Sequence, residues 1–314
     1  MYGISVSAPG KLFLSGEYAV LEGAEAVIAS VDRRVRATAV RSNLPQSQLL
    51  RDVKTAVAGF LSERSGANVG QLPNVDIDST GFSTSSHKLG IGSSAAVAAS
   101  TAGALFEWAG LSVSEHRAAI CEVATLAHRT YQHGKGSGAD VATSVYGGTI
   151  IFSRSEPVFQ TEANAIEKVF VWTGKPASTV SLVEEVRQLK ERAPTLYESV
   201  MTPLVYLAAE LADGYRAGDA DRLVRLTHAY QQAMMALGEA TGVSIVTPRM
   251  LRIAEIAEAC NGASKPSGAG GGDAAVALFR NSHDAAEFTS QIQQERFEIF
   301  DFGTHVQGLR RENG

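Results

Sequence analysis

Cysteine is scarce in this chain. Only Cys121 and Cys260 occur among 314 residues, with no CxxC pair and no Cys/His set at zinc spacing. Neither a disulfide framework nor a zinc centre is expected, and both thiols read as free, buried side chains in helices. Charge of one sign is also in short supply. Lys and Arg number 28 against 33 Asp and Glu, a net charge of -5. Such a chain has no global attraction to nucleic acid or to an anionic membrane. A phosphorylated ligand would have to find positive charge locally. No apolar run is long enough to cross a bilayer. Met1 to Ser5 lack the basic-then-apolar pattern of a secretory signal. A reducing, cytoplasmic setting is the expectation. Known nucleotide signatures are missing too. There is no GxxxxGK[ST] P-loop, and no HRD or DFG element of protein kinases. Gly90-Ile91-Gly92 lacks the third glycine and acidic follow-up of a dinucleotide fingerprint.

Apolar residues make up 45% and charged residues 19%. That is ample for a core and argues against wholesale disorder. The length suits two packed lobes. Strands are predicted at Ile4 to Ala8, Lys11 to Leu14, Val27 to Val31 and Val35 to Val40, joined by turns at Gly10, Gly16 and Gly23. A helix follows over 50–64, then a short strand from Val75 to Asp78. Ser94 to Trp108 is crowded with alanine and has no charge before Glu107, so it reads as a buried helix. Ser112 and Glu115 have capping-box spacing before a helix running to about Gln132. A Gly147-Gly148 break precedes a strand that ends at Phe152. Residues 154–167 carry no strong pattern and mark the expected lobe boundary, dividing the chain into 1–165 and 166–314. Beyond it come a strand at Val169 to Thr173 and helices over 180–192, 198–216, 219–241 and 248–260. Thr247 is the expected N-cap of the last helix, with Pro248 in its first turn. Strands are expected at Ala274 to Phe279 and Phe297 to Phe302, and a frayed tail from Arg310 to Gly314. The pattern is α+β, without the strict alternation of a doubly wound sheet.

Chemistry concentrates in glycine-rich segments. Lys88 to Ala96, KLGIGSSAA, opens the buried helix. Its glycines let backbone N–H groups approach a ligand, and the helix start adds unpaired donors with a positive partial charge. Ser93 and Ser94 add hydroxyls suited to phosphate or Mg2+. Alone, the same run also fits a serine-capped helix after a glycine turn. Lys265 to Asp273, KPSGAGGGD, lies between a helix and an apolar strand and can wrap a phosphate or a substrate. Pro9 to Tyr18 places Lys11 near the start of an apolar strand, where a solvated edge residue is the plainer reading. His133 to Asp140 brings a carboxylate after a glycine turn, and Asp140 alone would suit a helix N-cap.

In this order and at these distances, PGKLFLSGEYAVLEG, KLGIGSSAA and SGAGGGD resemble the three motifs of the GHMP kinase superfamily. The resemblance spans Pro9 to Phe279. Within the superfamily the chain looks most like the phosphomevalonate kinases. Gly16-Glu17-Tyr18 stands where mevalonate kinases usually carry Gly-Glu-His. Lys88 precedes the first loop glycine by two residues, the run Trp172 to Thr179 follows a strand, and Lys265-Pro266 precedes a third motif ending in Asp273. Other features resemble mevalonate kinases. They are the spacing His133-Gly134-x-x-Ser137-Gly138-x-Asp140 and the Thr-Gly…Ser-Thr element near Ser178.

This resemblance implies a ribosomal-protein-S5-like N-terminal lobe, a ferredoxin-like C-terminal lobe and an active site between them. It implies ATP and Mg2+ as cofactors and a small-molecule acceptor, (R)-5-phosphomevalonate. Mevalonate and a catalytically silent, ligand-binding role remain the alternatives. Diphosphomevalonate decarboxylases fit less well, because they lack this third motif. By the same resemblance Lys11 and Asp140 are catalytic. Gly90, Gly92, Ser93, Ser94 and Ala95 hold ATP phosphates, and Ser94 also touches Mg2+. Substrate contacts fall to Lys88, Ser137, Ser178, Tyr18, Ser267, Gly268, Ala269, Gly270 and Gly271. One departure stands out. Mevalonate kinases place a Mg2+-binding glutamate eleven residues before the catalytic aspartate, and here that position is Arg129. His87, His128 and Lys135 lie near the motifs and receive no role. No nucleic-acid or membrane partner is implied, and the oligomeric state is left open.

Overall fold

The computed structural model describes residues 3–41, 45–65, 72–84, 88–134, 136–154, 158–161, 166–177, 179–301 and 303–312. His87, Lys135 and Ser178 lie outside the described residues.

The first strands are longer than expected. β1 (Ile4–Ser15) and β2 (Ala26–Val40) each merge two predicted strands into one. Their register shifts between Pro9 and Gly10. A bulge of this kind bends a strand without ending it, so Gly10 is not a turn. β3 (Asn74–Asp78) pairs with the far half of β2. β4 (Thr149–Phe152), β5 (Phe159–Thr161) and β10 (Arg310–Arg311) complete an antiparallel sheet in the order β10-β1-β2-β4-β5. On this sheet pack α2 (Ser93–Trp108) and α4 (Ala139–Tyr146), with α1 (Gln48–Ser65) and α3 (Arg117–Tyr131) packed against α2 in turn. The alanines of α2 are fully buried against β1 and β2. Their small side chains let the helix backbone approach the sheet closely.

The Ser112/Glu115 pair closes a turn instead of starting a helix. The Glu115 N–H donates to Ser112 Oγ at 3.4 Å, but α3 begins only at Arg117. Val113 is drawn into the core and its N–H donates to the Glu107 carboxylate at 2.8 Å, which turns the chain once more before the helix.

The second sheet is antiparallel in the order β7-β8-β6-β9, built from β6 (Glu167–Trp172), β7 (Ala263–Ser267), β8 (Ala274–Phe279) and β9 (Glu298–Ile299). Its helices are α5 (Thr179–Arg192), α6 (Pro194–Ala217), α7 (Ala220–Thr241), α8 (Pro248–Ala259) and α9 (Ser282–Gln294). Thr247 caps α8 as expected, accepting from the Met250 N–H. β7 was not expected. Lys265, Pro266 and Ser267 pair with β8, so the third glycine loop begins only at Gly268. Only Glu298 and Ile299 form β9 within the strand expected over 297–302.

One buried cluster spans both sheets. Val27 and Leu105 belong to the same buried cluster as Trp172, Tyr230 and Val276. Of the tail expected to fray, the described residues Arg310 to Glu312 are held in the fold. Arg310 and Arg311 pair with Ser7 and Val6, and the Glu312 N–H donates to Ser5 O at 2.9 Å. Leu309 explains the difference. It is fully buried, and its N–H donates to Val145 O at 3.0 Å. The end of the chain therefore supplies an edge strand to the first sheet. Among the described residues, no helix is long and apolar enough to cross a membrane.

Candidate active site

Lys11 lies on an inner strand, only 8% exposed, and not at a solvated edge. Its Nζ is 3.4 Å from the Asp140 carboxylate and 5.0 Å from the centre of the Phe13 ring. Asp140 sits in the first turn of α4, behind Gly138 as N-cap. Ser137 Oγ accepts from the Ala139 N–H at 3.2 Å and shapes that turn. The Lys11 N–H donates to Ile91 O at 2.9 Å, joining β1 directly to the first glycine loop.

The glycines of that loop are needed for close approach. At Gly92, with φ +78°, a Cβ would lie 2.7 Å from Lys11 Cε. At Gly90, with φ +69°, it would lie 2.5 Å from Asp273 Cγ. Only glycine accommodates both the positive φ and the neighbour. Asp273, the last residue of the third motif, thus rests on the first loop. Burial pushes its carboxyl pKa up, while the Ala177 N–H and Lys11 oppose the shift.

α2 starts at Ser93 with no side-chain cap on its first turn. Those N–H groups suit an anion. Ala95 is buried, so only its backbone can serve a ligand. Ser94 Oγ lies 2.9 Å from His128 Nε2. His128 is buried, and burial pushes its imidazole pKa down, so the ring is neutral at neutral pH. No role was expected for it. Its signal was its place on the apolar face of α3, beside Ala124 and Ala127. Arg129, at the position where the resemblance implied a glutamate, is engaged with the backbone. Its Nε donates to Gly136 O at 3.1 Å and its Nη2 to Ser137 O at 2.6 Å, which pins the loop leading to Asp140.

A cavity opens beside the Lys11–Asp140 pair, walled by Tyr18, His128, Ser137, Gly268 and Ala269. Other expected residues fall elsewhere. Lys88 is exposed, bridges to Ser83 and does not line the cavity. Ser267 Oγ donates to Phe13 O at 2.9 Å, so its hydroxyl is engaged within the fold. Gly270 and Gly271 pack against the protein. The Gly271 N–H donates to Ile245 O at 2.7 Å, and a Cβ on Gly270 would meet that oxygen at 2.2 Å. The Tyr18 hydroxyl donates to Ala269 O, and burial raises its pKa, keeping it protonated. Thr179, next to Ser178, lines the cavity.

Residues 52–148 match the family model of the GHMP kinases N terminal domain, and residues 208–299 match that of the GHMP kinases C terminal. The chain belongs to the GHMP kinases. As a GHMP kinase it is a phosphotransferase, and its α+β architecture is the two-lobed fold that the motifs implied. It is 28% identical to phosphomevalonate kinase of Streptomyces sp. (strain CL190), over 87% of this chain and 88% of that protein. It is 29% identical to mevalonate kinase of Archaeoglobus fulgidus, over 93% of this chain and 98% of that protein. The fold also matches Streptococcus pneumoniae phosphomevalonate kinase, solved in complex with phosphomevalonate and AMPPNP. The TM-score is 0.81 at 20% sequence identity, covering 96% of this chain and 99% of that one.

Proposed function

We propose that this GHMP kinase transfers the γ-phosphoryl group of ATP to the phosphate of (R)-5-phosphomevalonate, giving 5-diphosphomevalonate and ADP. The observation that carries the transfer chemistry is the Lys11–Asp140 pair beside the uncapped first turn of α2. The choice of acceptor is supported by similarity to the Streptomyces phosphomevalonate kinase and by the first and third motifs. The N-terminal lobe, over about 1–165, supplies Lys11, Asp140 and the phosphate loop, and the C-terminal lobe supplies the third motif.

Phosphoryl transfer depends on positioning and charge neutralisation more than on covalent help. The N–H groups of the loop from Gly90 to Ala95 hold the ATP phosphates. Among the described residues no group of three or more His, Cys, Asp or Glu could hold a metal ion. Mg2+ needs few protein ligands and takes the rest from phosphate and water. Ser94 Oγ is its proposed contact, with His128 holding that hydroxyl in place. Bound there, Mg2+ would neutralise charge on the phosphate oxygens. Lys11 stabilises charge on the group in transfer. A phosphate monoester is largely dianionic at neutral pH, since its second pKa is about 6. It needs no base, so Asp140 orients Lys11 and the acceptor. Ser137, Tyr18, Gly268 and Ala269 wall the acceptor site.

Phosphorylation of mevalonate is the second reading. The spacing from His133 to Asp140 and the similarity to the Archaeoglobus enzyme favour it. There Asp140 would be the general base for an alcohol. A coupled ADP-release assay with MgATP decides between them, with each acceptor offered separately. Turnover with phosphomevalonate alone is expected. Turnover with mevalonate alone would transfer the assignment to the second reading.

A further inference from the structure

The first and third glycine-rich motifs are tied together by a buried ion pair. Lys265 on β7 is 1% exposed and Glu17, just after β1, is 3% exposed. The Lys265 ammonium donates to Glu17 Oε1, and also to Pro266 O at 2.8 Å. The same Glu17 oxygen accepts from the Gly268 N–H at 3.2 Å. Further ties surround the pair. Ser267 Oγ donates to Phe13 O, the Tyr18 hydroxyl to Ala269 O, and the Tyr230 hydroxyl to Glu17 O at 2.7 Å. Tyr18 adopts φ 60° and ψ -49°, a backbone conformation that side-chain-bearing residues hold only when their surroundings impose it.

Stability alone is a weak reason for such a pair. Desolvating two charges costs about as much as their attraction returns, and well-packed apolar replacements are often as stable. Its location points elsewhere. Glu17, Tyr18, Gly268 and Ala269 all line the cavity beside Lys11 and Asp140. The ties made by Lys265, Ser267, Gly268 and Ala269 to Phe13, Glu17 and Tyr18 join the strand that carries Lys11, or the turn after it, to the segment that carries Gly268 and Ala269.

We propose that Glu17 and Lys265 are positioning residues that hold Gly268 and Ala269 against Tyr18, so that the acceptor wall is formed before substrate arrives. A preformed wall lowers the ordering cost of binding. Its loss acts on the acceptor and leaves ATP, held by the α2 loop, little affected. The proposal rests on the kinase reaction proposed above but not on which acceptor is correct.

The experiment compares the full-length parent with Glu17→Leu/Lys265→Met, using whichever acceptor the parent turns over. The double variant removes both charges while keeping apolar bulk. It is expected to fold, with acceptor KM raised roughly tenfold and ATP KM within about threefold of the parent. A folded double variant with parental acceptor KM overturns the proposal, as does an equal rise in both constants. Should the double variant not fold, Ser267→Ala decides, because it cuts one tie without stranding a charge. A rise of about threefold in acceptor KM alone supports the proposal, and an unchanged acceptor KM overturns it. If the parent turns over neither acceptor, the proposed function fails. Amide exchange at Gly268 and Ala269 then tests the pair by itself. Exchange about tenfold faster than in the parent is expected in whichever variant folds, and equal exchange overturns the proposal.

Discussion

Lys11 Nζ stands 3.4 Å from the Asp140 carboxylate, so an inner strand of the first sheet meets the opening turn of α4 at one ion pair. The pair is mostly shielded from solvent on the lysine side, while Asp140 keeps about a third of its side chain exposed, at 31%. That asymmetry leaves the carboxylate accessible from the cavity and the ammonium fixed by its surroundings.

Asp140→Asn separates the two possible roles of the aspartate. With a phosphate acceptor, kcat is expected to fall only about tenfold, because no proton has to be removed from the nucleophile. A fall of about 10³ to 10⁴ in kcat would instead identify general-base catalysis on an alcohol. Steady-state kinetics at saturating MgATP make the measurement.

Gly92→Ala should disable the enzyme without unfolding it. The new Cβ would press on Lys11 Cε and Cγ, at 2.7 and 2.9 Å, and displace the ammonium from Asp140. A loss of about 100-fold in kcat is expected. The positive φ at residue 92 adds a backbone cost of about 1–2 kcal/mol, read as a modest fall in Tm. Wild-type kcat in the variant would show that the Lys11 stem has room to move.

The pH dependence of stability should carry the signature of Asp273. Its folded pKa is raised by burial, so its carboxyl favours folding below the unfolded pKa of about 4 and loses that contribution as pH rises through the folded value. Asp273→Asn has no charge to bury and can still accept from the Ala177 N–H. The Tm of the variant minus that of the parent should therefore increase as pH is raised from about 4 toward neutrality. A difference that stays flat or shrinks over that range would contradict the assigned shift.

Leu309→Ala tests the returning C-terminal segment. Leu309 is fully buried, and a Cβ on Gly103 would come within 3.0 Å of it. Truncation should cost about 2–5 kcal/mol in urea unfolding. A residue in a frayed tail would change stability by less than about 0.5 kcal/mol.

Much of this arrangement was readable in advance, and the exceptions have a common cause. The helix over 248–260 was legible because Thr247 and Pro248 are local start signals, and the helix from Ser94 because its uncharged, alanine-rich composition is local too. The glycine turn at Gly90 and Gly92 ahead of the helix was legible as local structure, whereas the run by itself did not say whether it holds a phosphate or simply starts a helix. The bulge at Pro9 and Gly10 was not, because a local break in the strand pattern looks the same whether the strand ends or bends. Lys88 and Ser267 were drawn toward substrate by their motifs, yet one is exposed on a loop and the other donates to Phe13 O. A motif places a residue along the chain but does not say which way its side chain turns.

By itself, the sequence determined that this is a two-lobed α+β GHMP kinase, and it singled out three glycine-rich segments together with Lys11 and Asp140 as the proposed site. Those properties reside in short runs of residues and in their order. Only the tertiary structure decided that Asp273 rests on Gly90, that His128 meets Ser94, that Glu17 pairs with Lys265 and that Leu309 brings the chain end back to β1. Each joins residues from separate elements. Such contacts are set by sheet register and by packing in a shared core, and neither leaves a periodic trace in the neighbouring residues.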